Sequence, residues 1–144
     1  MLEENKAVVR RFVEEIQNKH NLDAVDELFS AGLTHYSHAP GMSPIPPGPA
    51  SFRAYFEGLL AAFPDTRFTI HDQIAEGNMV ATRKTWEATH LGEFLGIPAT
   101  GRHINVQAMD IWSVVDGKLT DHWGQIDLMG LMQQLGAVPG PGPG

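Results

Sequence analysis

The periodicity of the apolar residues divides this 144-residue chain in two. Up to Phe63 they recur at helical spacing, whereas from Thr66 they alternate at period two, with breaks at Gly77-Asn78, over 91–101 and at Asp116-Gly117. The expected order of helix, helix, short strand, helix and then four strands in meander makes an α+β domain. Val9, Phe12, Val13 and Ile16 predict an amphipathic helix ending near Lys19; Leu22, Val25, Leu28 and Phe29 predict a shorter one, capped by Asn21 or Asp23. Five prolines and two glycines between Ala39 and Ala50 exclude helix and central strand there and predict a long loop. Phe52, Tyr55, Phe56, Leu59, Leu60 and Phe63 then form a helix with Ser51 as its cap and Pro64 as its stop. A last helix from about Asp127 to Leu135 ends at Gly136, and the tail 137–144, AVPGPGPG, has no side chain to anchor it and is expected to be mobile. The expected organisation is one domain over 1–136: a curved antiparallel sheet with helices packed on its concave face, enclosing an apolar cavity for a small molecule.

Charge and composition narrow the chemistry. The formal net charge of −7 leaves no basic patch, so neither nucleic acid nor an anionic membrane surface is an expected partner. With no cysteine there is no disulfide, thiolate nucleophile or Cys-ligated zinc, which leaves carboxylates and histidines as catalytic equipment. The opening MLEENKAVVRRFVEE lacks the apolar run of a signal peptide, and the cytoplasm is the expected location.

The most informative stretch is INVQAMDIWSVVDGKLTDHWGQID, in which Asp116-Gly117 joins two alternating segments as a tight hairpin. With Val115 facing Lys118, a regular ladder has paired positions summing to 233, which puts Asp110, Trp112, Val114, Leu119, Asp121 and Trp123 on one face and His122 on the other. Asp110 and Asp121 are then diagonal neighbours roughly 7 Å apart, repelling by about 2.4 kcal/mol at an effective dielectric near 20. One of them is expected to hold a proton near neutrality, giving a base and an acid on an apolar wall with Trp112 and Trp123 beside them.

The run HLGEFLGIPATGRHINVQAMDIWSVVDGKLTDHW, with QLG at Gln134 to Gly136, resembles the SnoaL-like polyketide cyclase (ester cyclase) family of the NTF2-like superfamily, over nearly the whole chain to Gly136. The resemblance implies an α+β cone with a ligand cavity, usually oligomeric, and a cofactor-free intramolecular aldol condensation that closes the last ring of an aromatic polyketide. The family's acid/base aspartate matches Asp121, and its second functional group, a histidine on the preceding strand, falls where this chain has Asp110. The Asp-Arg-Asp set of NTF2-like epoxide hydrolases has no counterpart here, since Ala108 stands two before Asp110.

Four further residues are candidate substrate contacts: His35, Tyr36 and His38, running into the proline loop, and His90, before a segment able to fold over the cavity. No metal is expected, because His35 and His38 are three apart without a third ligand. The Phe68–Trp86 strand pair keeps its apolar residues, Ile74 among them, on one face only if a bulge or three-residue connection falls at Glu76–Asn78. The expected function is acid/base chemistry on a hydrophobic carbonyl compound, by Asp121 as base and Asp110 as acid. The alternative is a non-catalytic ligand-binding or oligomerising module, with both acids bonded to protein. In either case the outer sheet face, with Met109, Ile111 and Val115, is the expected contact of a homodimer or higher oligomer.

Overall fold

A computed structural model describes residues 1–37 and 43–138; His38 and positions 139–144 of the tail lie outside them. Helix α1 (Leu2–Arg11) runs on through a π-helical segment, Phe12–Asn18, whose Phe12, Val13 and Ile16 are buried. A 3-10 turn, Leu22–Ala24, leads into α2 (Val25–Leu28), and β1 (Phe29–His35) follows at once. Phe29 is therefore the first strand residue rather than the last of the helix. Helix α3 (Pro49–Ala62) starts two residues before Ser51, because Gly48 at φ +104° turns the chain so that Pro49, pre-set in φ and lacking an N–H, can open the helix. Strands β2 (Arg67–Glu76), β3 (Met79–Thr89), β4 (His103–Val115) and β5 (Lys118–Ile126) form the second half, and α4 (Leu128–Leu135) closes the fold with Asp127 capping its first turn.

The five strands make one curved sheet in the order β1-β5-β4-β3-β2. Its four later strands are antiparallel as expected, but β1 adds to β5 in parallel, so the sheet is mixed. On the concave side β4 buries Ile104, Val106, Ala108, Asp110, Trp112 and Val114, the alternation expected of it. Against this face Phe12, Phe29, Phe52 and Trp112 form an aromatic cluster, with Phe29 and Phe52 edge to face at 4.7 Å and Phe12 and Trp112 at 5.2 Å.

Two bulges set which side chains face inward. Strands β2 and β3 join through the two-residue turn Gly77-Asn78, with Glu76 paired to Met79; the expected irregularity lies instead at His71, where the register shifts between Ile70 and Asp72. Phe68 and Ile70 thus stay on the inner side, while Ile74 is turned out and left 71% exposed. Between β4 and β5 the Asp116-Gly117 turn is the tight hairpin expected, both residues at positive φ (51° and 74°). Pairing sums to 233 only as far as Val114 with Leu119. Thr120 is then an extra residue, and beyond it Ser113 pairs with Asp121, Trp112 with His122, Ile111 with Trp123 and Asp110 with Gly124. The single hydroxyl hydrogen of Thr120 is shared between the Ser113 carbonyl at 3.3 Å, opposite the bulge, and the Asp121 carboxylate at 3.1 Å. A one-residue shift exchanges the faces: Asp121 and Trp123 turn outward, and His122 turns in.

Candidate active site

The concave face, the π-helical segment Phe12–Asn18, α3 and the 43–45 segment enclose a cavity of about 190 Å³. Phe12, Phe52, Tyr55, Phe56 and Trp112 form its apolar lining. One stretch of wall is charged. Lys84, only 3% exposed, reaches Asp110 Oδ2 at 3.0 Å and donates to Gln17 Oε1 at 3.0 Å. Its ammonium also lies over the Phe68 ring, 4.9 Å from the centroid. His122 Nε2 approaches the same Asp110 oxygen at 3.5 Å, and His122 Nδ1 meets His35 Nδ1 at 3.1 Å. The parallel pairing of β1 with β5 makes this last contact, since it places His35 beside His122.

Electrostatics set the charge of two of these groups, Asp110 and His35. Burial alone would raise the Asp110 carboxyl, but the Lys84 charge and the approach of His122 outweigh it and hold the pKa at about 2. Asp110 is therefore an acceptor, and His122 presents Nε2–H to it. His35 Nδ1 and His122 Nδ1 share one hydrogen, and in the tautomer where His35 Nδ1 donates, its lone pair is left on Nε2. Burial, reinforced by His122, lowers the His35 pKa to about 4, so this imidazole is neutral at physiological pH. Three polar atoms of the wall, His35 Nε2, Asp110 Oδ1 and Trp112 Nε1, are buried with no hydrogen-bond partner among the described residues. Each such atom costs about 1–3 kcal/mol, and all three belong to residues that line the one cavity, a concentration that stability alone does not explain.

The family model for SnoaL-like polyketide cyclases matches residues 7–135. The chain belongs to this family. It is 30% identical over 139 residues to the aklanonic acid methyl ester cyclase DauD of Streptomyces sp. (strain C5), covering 94% of this chain and 83% of that protein. The nogalonic acid methyl ester cyclase of Streptomyces nogalater is 29% identical over 126 residues, covering 83% of this chain and 88% of its own length. Among solved structures, AclR of Streptomyces galilaeus, a hydroxylase candidate by name, superposes with a TM-score of 0.85 at 31% identity, over 99% of this chain and 87% of AclR. The function and fold implied by the sequence motifs agree with these relatives: the chain is similar to polyketide cyclases throughout, on a SnoaL-like α+β fold.

Within this SnoaL-like cyclase the candidate residues separate into two sets. Asp110, Trp112 and His35 line the cavity. Asp121 does not: its carboxylate accepts from Tyr36 Oη and from Thr120 Oγ1, each at 3.1 Å, on the outer side of the sheet. Trp123 is out there too, stacked on Tyr36 with ring centroids 4.9 Å apart. The expected coupling of Asp110 with Asp121 is accordingly absent, and Asp110 is held ionised instead of being pushed toward its acid form. His90 is fully buried outside the cavity lining, where Nδ1 takes the Thr100 amide hydrogen at 3.2 Å and the ring stacks on Phe63.

Three wall residues were missed. Lys84 had a signal: Val80, Thr82 and Trp86 alternate inward, and Lys84 stands between Thr82 and Trp86 on that face, where a lysine requires an acid partner. His122 was assigned to the wrong face by the bulge. Gln17, at the end of an amphipathic helix, had no local signal.

Proposed function

We propose that this SnoaL-like cyclase closes a carbocyclic ring by an intramolecular aldol-type reaction on a hydrophobic carbonyl compound, with the His35–His122 pair as base and Asp110 as its anchor. His35 Nε2 takes the proton of the carbonyl-activated carbon, and the Nδ1–H of His35 passes to His122. The resulting imidazolium of His122 sits against the Asp110 carboxylate. The enolate attacks the second carbonyl carbon, one C–C bond forms, and the relay returns its proton to the new alkoxide, so the reaction is mass-neutral. This relay accounts for the use of an imidazole whose pKa is only about 4, because the charge ends on His122 beside Asp110 rather than on His35. The observation that carries the proposal is the chain Lys84–Asp110–His122–His35, buried at its Lys84–Asp110 end, in the wall of an apolar cavity. The cavity is below the ~300 Å³ at the lower end for ligand pockets, so a polycyclic substrate would have only its reacting end enclosed. Trp112 walls that end. Asp121, Tyr36, Trp123 and His90 have no part in this chemistry.

The test uses aklanonic acid methyl ester and nogalonic acid methyl ester as probes, with mass-resolved product analysis. His35→Ala and His122→Ala should each lose about 10²- to 10⁴-fold in kcat, while Asp121→Asn keeps wild-type turnover. Full turnover by both histidine variants, or its loss in Asp121→Asn with the fold intact, refutes the assignment. A product heavier by one oxygen would favour hydroxylation, a second reading that the likeness to AclR supports. Binding without conversion would favour the non-catalytic module. The same proposal has the enzyme act as a lyase or isomerase in the cytoplasm, as a homodimer through the outer sheet face, where Ile74, Met109, Ile111 and Trp123 are exposed.

A further inference from the structure

Strand β5 carries Gly124 directly opposite Asp110, and this position has no side chain to occupy the space in front of the carboxylate. His122 lies two residues before it on the same face and opposite Trp112, so its relation to Asp110 is diagonal. Diagonal partners are roughly 7–8 Å apart at the backbone and meet only through long or aromatic side chains. The imidazole of His122 covers that distance by leaning along β5 into the place that a residue 124 side chain would fill. A Cβ built on Gly124 would stand 2.8 Å from His122 Cε1, 3.2 Å from His122 Nε2 and 3.7 Å from Asp110 Cβ. Two of these three atoms belong to the ring edge that faces Asp110.

We infer that Gly124 is a positioning residue: the missing Cβ admits the His122 imidazole to Asp110, and any side chain there displaces the ring. This rests on the proposal that the His122–Asp110 pair serves the reaction. The backbone at 124 has little freedom to relieve the clash. Its N–H donates to Ser37 Oγ at 2.7 Å, and Ser37 Oγ donates back to its carbonyl at 3.0 Å, while β4 holds the other edge. Gly124 is also not among the residues with positive φ, so an alanine meets no backbone strain and its whole effect falls on the ring. The ring is the free end of a partly exposed side chain and can swing away at small cost to the fold. Swinging away takes it from its seat on Trp112, at a centroid distance of 4.2 Å, and ends its approach to Asp110.

The experiment is Gly124→Ala, read on the full chain without substrate and then with aklanonic acid methyl ester. Imidazole ¹⁵N spectra should show His122 as the Nε2–H tautomer in the wild type and a loss of that preference in the variant. The Asp110 carboxyl ¹³C titration should move upward in pH, and Tm should stay within about 4 °C, the equivalent of a minor stability change. Turnover should fall about 100-fold in kcat with little change in KM, as misplacement by an ångström does. Adding Gly124→Ala to His122→Ala should cost nothing further, since the ring it displaces is gone. An unchanged His122 tautomer and Asp110 titration in Gly124→Ala overturn the inference, as does a full additional loss in the double variant. If the spectra change as expected while turnover stays at the wild-type level, the positioning stands and the catalytic use of the pair falls. The two failures are thereby distinguished.

Discussion

Replacing Lys84 by methionine removes the charge that keeps Asp110 ionised while leaving most of the side-chain volume. Both groups are buried, at 3% and 7% exposed, so solvent screens their interaction little. The drop of the Asp110 pKa from 3.8 to about 2 corresponds to about 2 kcal/mol of stability, at about 1.4 kcal/mol per pH unit. Because the folded value lies below the unfolded one, this stabilisation is complete above about pH 4 and is lost as pH falls toward 2. His35, also lowered on folding, acts in a separate window: its contribution is present above 6.5 and is lost as pH falls toward 4. In Lys84→Met, burial acts on Asp110 with only His122 to oppose it, so the carboxyl rises above its unfolded value: the slope below pH 4 disappears, and stability instead falls with rising pH in a window above pH 4. The variant should be about 3–5 kcal/mol less stable at pH 7, the cost of an unpaired buried charge. It should recover part of this difference on acidification. Asp110→Asn in the same background, which removes the charge but leaves an acceptor for His122, should restore about 1–3 kcal/mol. Urea unfolding from pH 2 to 8, with the m-value checked for constancy, measures all of this. A Lys84→Met protein with wild-type stability at pH 7 and the wild-type slope below pH 4 would refute the ion-pair account of the site.

Two further outcomes test the register and the assembly. Deleting Thr120 removes the bulge but keeps Ser113 against Asp121 and Trp112 against His122, so turnover should stay within about tenfold and stability fall by about 1 kcal/mol for the lost Ser113 bond. Abolished turnover with an intact circular-dichroism spectrum would mean that the wild-type ladder is regular and that deletion reversed its faces. Met109→Glu, a charge on the outer sheet face, should convert a wild-type dimer to monomer by light scattering; a wild-type protein that is itself a monodisperse monomer defeats the proposed assembly.

The strand residues assigned to the wrong face, His122, Asp121, Trp123 and Ile74, share a physical cause, which is parity. Strand patterning assigns faces by counting in twos, and one unpaired residue reverses every later assignment. The count was right for the whole of β4, from Ile104 to Val114, and for the Asp116-Gly117 turn, because the positive φ at both turn positions is written into the residue types. It failed on β5 after Thr120 and on β2 after His71, since a bulge needs no special residue and a threonine there looks like any other strand residue. The consequence is specific. Asp121, the aspartate that the family motif brought forward, and Trp123 exchanged places with His122. His35 was singled out for a different reason, its position running into the proline loop, and its contact with His122 depends on the parallel docking of β1 onto β5, a pairing across 87 positions of the chain that no local pattern encodes. Lys84 shows the opposite case. Its inward position was available from simple alternation, and the buried positive charge required a nearby acid, which Asp110 on the neighbouring strand supplies. A charged residue on an inward face therefore carries more about a site than a motif aspartate does. Burial forces it to have a partner, whereas the facing of a motif residue depends on every bulge before it.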